Sequence, residues 1–149
     1  MMSRRTHIAA IAIAISAVIV LGATRAIATD DGYKLVVHPD NPVSEVDRDF
    51  VRDAFLKKAL EWPNGQTIRP VDLSDSFPAH DRFARTMLRK TPSQLKSYWN
   101  QQIFSGKGVP PPSADTTAAM IAYVLANPGA LGYLPSDANP GSLKVVGVR

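Results

Sequence analysis

The feature that most limits what this chain can fold into is its first 28 residues. Met1–His7 contain Arg4 and Arg5 and no acid, and the apolar run Ile8–Ala23 that follows is broken only by Ser16 and Gly22. An apolar stretch of about 15 residues falls short of the ~20 that span a bilayer. Ala26-Ile27-Ala28 then offers a small-x-small cleavage site before Thr29. A basic start, an apolar middle and this exit predict a signal peptide over residues 1–28, cut between Ala28 and Thr29, rather than a membrane anchor. Ser3-Arg4-Arg5 partly matches the twin-arginine export signal, but His7 and Ile8 stand where that signal has Phe and Leu, so general secretion fits better. Either route makes the product periplasmic or secreted, with no membrane span after signal removal.

Whatever folds must then come from residues 29–149. These 121 residues are enough for one α/β domain with one core, burying somewhat over ~60% of its unfolded surface. Removing the leader also changes the electrostatics. The whole chain has 17 bases and 13 acids, but Arg4, Arg5 and Arg25 lie in the leader and no acid does. Fourteen bases and thirteen acids remain, a net of +1. A nearly neutral domain has no global electrostatic case for binding nucleic acid or acidic membranes. There is no cysteine, which excludes disulfides, thiolate metal sites and a cysteine nucleophile.

Tyr33–Val37 is apolar, partly β-branched and closed by Pro39, which reads as a strand. Ser44 is placed to cap a helix whose buried face is Val46, Phe50, Val51, Ala54 and Phe55. Trp62-Pro63-Asn64-Gly65 is a turn, Thr67–Val71 a second strand, and Asp72–Pro78 a polar loop into a helix that spaces Phe83 with Met87 and Ala84 with Leu88. Thr91-Pro92-Ser93 opens the next helix, with Leu95, Tyr98 and Trp99 on its apolar stripe. Ser113 is placed to cap a further helix that Asn127-Pro128-Gly129 ends, and Ala130–Leu134 and Leu143–Val148 read as strands. Strands alternating with helices predict an α/β layer structure with a parallel or mixed sheet flanked by helices. Trp62, Trp99, Phe55 and Phe104 are expected in the core.

Little in this pattern supports catalysis or a cofactor. His38 and His80 match no metal spacing with Asp40 or Asp81, and His38 is better placed to order the turn after its strand. No Gly-x-Ser-x-Gly elbow occurs, and Gly106-Lys107-Gly108 lacks the spacing of a nucleotide loop. The expectation is a non-enzyme with no metal and no cofactor.

Several stretches resemble the periplasmic phosphate-binding proteins of ABC transporters, especially short secreted relatives that keep one piece of that fold. They are Val37-His38-Pro39-Asp40-Asn41-Pro42-Val43, Phe55-Leu56-Lys57-Lys58, Trp62-Pro63-Asn64-Gly65, Tyr98-Trp99, Ile103-Phe104-Ser105-Gly106-Lys107-Gly108 and Asn127-Pro128-Gly129-Ala130-Leu131-Gly132-Tyr133. The resemblance implies a substrate-binding protein (PBP-like) domain, here a single lobe with hinge stubs, tied to phosphate transport. The first lobe has no counterpart before Tyr33, so an oxyanion would lose about half its contacts.

The candidate phosphate site is the loop Asp72–His80, a strand-to-helix connection whose unsatisfied N–H groups suit an anion. Ser74 and Ser76 would supply hydroxyls, and His80, Arg82 or Arg69 would add charge. Relatives carry an arginine followed by Ser-Gly-Thr here. In this chain Asp72 stands near the arginine's place, Ser76 matches the serine, and Phe77 and Pro78 replace Gly and Thr, removing a close backbone approach and a donor. Asp72 and Asp75 oppose a dianion by about 1 kcal/mol each, although one of them can accept the proton of monohydrogen phosphate. Two further readings stand beside this one. Ser74, Asp75 or Ser76 simply caps the helix, or the lobe has lost its ligand and docks on an envelope sensor or transporter component as an interaction module.

Overall fold

Tyr33–Val37 forms the expected strand, β1, in a computed structural model that describes residues 30–149. The leader and the Ala28–Thr29 junction lie outside the described residues. Leu35, Val36 and Val37 are all buried. Three consecutive buried side chains require cover on both faces of the sheet, as in layered α/β proteins. Ala130–Pro135 (β6) and Lys144–Val148 (β7) flank β1, both antiparallel to it. Glu45–Val46 (β2) joins β7 in parallel and Arg69–Pro70 (β3) joins β6 in parallel, giving a mixed five-stranded sheet in the order β2-β7-β1-β6-β3.

The helices are α1 (Arg48–Phe55), α2 (Pro78–Thr86), α3 (Pro92–Phe104) and α4 (Thr117–Ala126). On one face, Tyr33, Phe55, Phe83 and Tyr133 make an aromatic cluster in which Phe83 and Tyr133 stack with centroids 3.9 Å apart. On the other, α4 lays Met120 against Gly132 of β6. Phe83, Ala84, Met87 and Leu88 are all buried, as their spacing predicts, and among the described residues the core runs from Tyr33 to Val146.

Four local expectations need correction. Ser44 caps no helix: its carbonyl accepts from Gly147 N–H at 2.9 Å, Glu45–Val46 pairs with β7, and α1 begins only after Asp47. Ser113 likewise enters a strand, Ser113–Ala114 (β5), and Thr116 caps α4 by accepting from Ala119 N–H at 3.0 Å. The expected strand Thr67–Val71 is shortened to Arg69–Pro70, and the expected loop from Asp72 opens with a further strand. Val71 N–H still bonds Leu131 of β6, whereas Asp72 N–H turns to Pro112, and Asp72–Leu73 (β4) pairs with β5 in a separate two-stranded sheet. Phe104 is 97% exposed rather than core, whereas Trp62, Trp99 and Phe55 are buried.

His38 orders its turn as expected, accepting from Asp40 N–H through Nδ1 at 3.1 Å. At the start of α3, Thr91 and Gln94 form a reciprocal capping box, each side chain accepting from the other's N–H at 3.1 and 2.9 Å. Thr91→Ala is expected to cost about 1 kcal/mol, read as a Tm lower by a few degrees in a thermal melt.

Candidate functional site

Strand β4 delivers Asp72 to the head of α2, where three donors surround its carboxylate. Oδ1 accepts from Leu73 N–H at 2.8 Å and from the Tyr133 hydroxyl in a short bond, and Oδ2 lies 3.6 Å from His80 Nε2. Tyr133 is fully buried in β6. Burial first, and the Asp72 charge second, push its hydroxyl far above the ordinary tyrosine range, so it acts here only as a donor. His80 is held above its usual value of 6.5, chiefly by the hydrogen bond to Asp72 and further by the charges of Asp72, Asp75 and Asp81, with burial acting against them.

The loop between β4 and α2 is closed by its own groups. Ser74 and Ser76 hydroxyls are 3.1 Å apart, Phe77 N–H donates to the Ser74 carbonyl at 3.1 Å, and His80 N–H donates to the Phe77 carbonyl at 3.0 Å. None of Ser74, Asp75 and Ser76 caps α2; its N-cap residue is Phe77, which makes no side-chain cap. The cap reading of the serines is thereby replaced by a hydrogen-bonded turn ahead of the helix.

Two grooves flank this loop and divide the residues expected to act together. The first, about 670 Å³, lies between the loop and α3; Asp72, Ser74, Asp75 and His80 line it, facing Lys96 and Trp99. The second, about 600 Å³, holds Arg82 with Phe77, Pro78, Thr117, Ser136 and Asp137. Helix geometry explains the division. His80 and Arg82 are two residues apart, about 200° around α2, and cannot face one ligand on the same side. Arg82 crosses Gly32 instead. Gly32 has φ +81°, and a Cβ there would come within 2.7 Å of the Arg82 side chain. Arg69, on β3, lines neither groove.

Lys96 and Tyr133 escape the sequence reading. Lys96 lies on α3, beyond the loop it faces, and Tyr133 lies 61 residues from the Asp72 it binds. The first groove thus combines the Lys96 ammonium, an imidazole held above its usual range, two carboxylates and hydroxyls from Ser74, Ser93 and Ser113. Such a mixture suits a partly protonated oxyanion better than a fully ionised one. Among the described residues no serine hydroxyl bonds to a histidine, and no cluster of three or more metal-ligating side chains occurs.

No protein-family model and no curated protein matches the chain. Solved structures do match. An ABC-type phosphate transport receptor from Vibrio cholerae superposes with TM-score 0.62 at 19% identity, over 78% of this chain and 46% of the receptor. PstS from Borrelia burgdorferi gives 0.61 at 10% identity, over 79% and 47%. A third neighbour, from Clostridium perfringens, carries bound phosphate and gives 0.61 at 20% identity, over 78% and 44%. The α/β fold is therefore periplasmic-binding-protein-like, and the chain spans less than half the length of each of these structures.

Proposed function

We propose that the chain is an exported, non-catalytic solute-binding protein that holds phosphate or a similar oxyanion weakly beside the β4–α2 loop. The observation that carries this reading is the groove in which Ser74, His80 and Lys96 converge at the head of a helix, within a fold shared with phosphate receptors. Asp72 is fully engaged by Tyr133, Leu73 and His80. Asp75 is the carboxylate left to accept the proton of monohydrogen phosphate; Ser76 lies outside the groove, its hydroxyl 3.1 Å from that of Ser74. Sulfate has no such proton near neutral pH and is disfavoured. With one wall and two nearby carboxylates, the dissociation constant is on the order of 1 mM, equivalent to about 4 kcal/mol. Arg82 lies across the loop and adds long-range charge only.

Calorimetry on the chain from Thr29 is expected to show heat with millimolar phosphate and much less with sulfate, and Lys96→Ala is expected to weaken the phosphate signal. No heat and no thermal shift with phosphate would remove the ligand and favour a lobe that serves only to dock on an envelope protein.

A further inference from the structure

Charge along the chain is segregated. From Arg82 to Ala114 there are six bases and no acid, whereas the other described residues carry eight bases and thirteen acids. This basic stretch is the last part of α2, all of α3 and the loop after it. Two of its charges are met by carboxylates: Arg85 pairs with Asp81 at 2.9 Å, and Arg89 lies 3.8 Å from Asp49. Arg82, Lys90, Lys96 and Lys107 have no carboxylate within 4.0 Å among the described residues.

The same stretch carries three exposed large apolar side chains, one of them the most exposed among the described residues. Phe104, at the end of α3, is 97% exposed, with Ile103 at 50% and Val109 at 58%. Beyond Phe104 the backbone reverses: Gly106 adopts φ +68°, and Lys107 N–H donates to the Gln102 carbonyl at 2.9 Å, holding Lys107 beside the tip. Along α3, Gln94, Ser97, Gln101 and Phe104 recur at helical spacing and share one face. Shallow grooves on that face run from Gln101 back through Gln94 to Lys90, Arg89 and Arg85. An apolar tip therefore ends a face studded with cations, of which Arg85 and Arg89 are met by carboxylates and Lys90 is not.

We propose that this face docks on an anionic lipid surface, with Phe104 and Ile103 entering the interface and Lys107 and Lys90 meeting headgroup phosphates. A bilayer fits better than a protein partner because the tip projects into solvent. A lone projecting ring suits a fluid interface that forms its own cavity, and aromatic side chains favour that depth. The acidic remainder is repelled by the same surface, which fixes the orientation. This docking is independent of phosphate binding in the groove.

Vesicle co-sedimentation tests it with the chain from Thr29. Vesicles of phosphatidylcholine and phosphatidylglycerol at two to one are expected to carry the protein down, and phosphatidylcholine alone is not. Raising salt from about 0.05 to about 0.5 M abolishes the binding. Phe104→Ser, at a position with almost no packing to lose, is expected to keep the wild-type melt and lower partitioning roughly tenfold. Lys107→Glu has a similar effect. Failure to bind anionic vesicles, equal binding to neutral ones, or binding unchanged in both variants overturns the proposal. Binding to polyglutamate without binding to vesicles overturns it in favour of an acidic protein partner.

Discussion

Gly129→Ala is expected to remove about 3 kcal/mol or more of folding stability. A Cβ at this position would lie 2.1 Å from the Thr67 carbonyl oxygen and 3.3 Å from its carbon. Both atoms are backbone, so no rotamer change relieves the overlap. The Gly129 carbonyl also accepts from the buried Trp62 indole at 3.0 Å and from Arg69 N–H at 2.9 Å. Moving residue 129 aside therefore strains the Trp62–Gly65 turn and the β3–β6 pairing together. Overpacking costs about 1–3 kcal/mol and each weakened hydrogen bond about 1 kcal/mol. Against a typical stability of about 5–15 kcal/mol, the Tm should fall by roughly 10 °C. Gly108→Ala is the control, because nothing lies within 4 Å of its Cβ position and its melt should not move. A Gly129→Ala melt within two or so degrees of wild type would contradict so close an approach.

Elements whose signal is local were legible before any coordinates. Tyr33–Val37 and Ala130–Leu134 announce themselves by apolar, partly β-branched runs, and α3 by Thr91, Pro92 and Gln94. The misread positions share one cause. Ser44 and Ser113 are sound cap residues by type, but Ser44 lies next to, and Ser113 within, a two-residue strand formed only because a distant strand, β7 or β4, is there to pair with it. The helix start then passes to Asp47 and Thr116. Phe104 follows the buried Trp99 by five residues, about 140° around the helix, so its exposure was available from α3's own period.

The site was legible as a strand-loop-helix and illegible as a set of contacts. Ser74, Asp75 and His80 were found because they occupy one short loop and the first turn beyond it. The separation of His80 from Arg82 could have been read from their spacing on α2. The role of Tyr133 could not, because its contact with Asp72 depends on β6 lying beneath β4, a tertiary fact.

That contact yields the second large effect. Asp72→Ala removes the acceptor of a buried hydroxyl and the partner of His80, and a loss of about 2–3 kcal/mol is expected near neutral pH. The pH dependence separates the two parts. In the wild type the folded pKa of His80 lies above 6.5, chiefly through its hydrogen bond to Asp72. The folded state therefore binds the proton more tightly than the unfolded chain. The resulting stability is fully present below pH 6.5 and drains away as pH rises through the folded value. A Tm profile should thus slope downward above pH 6.5 in the wild type and flatten in Asp72→Ala. Tyr133→Phe tests the other bond: it forfeits about 1 kcal/mol but leaves the slope, because the carboxylate still faces His80. An unchanged slope in Asp72→Ala would mean that Asp75 and Asp81, not Asp72, hold the proton. The same proton charges one wall of the proposed phosphate groove, so the heat of phosphate binding should decline over the pH range in which the Tm does.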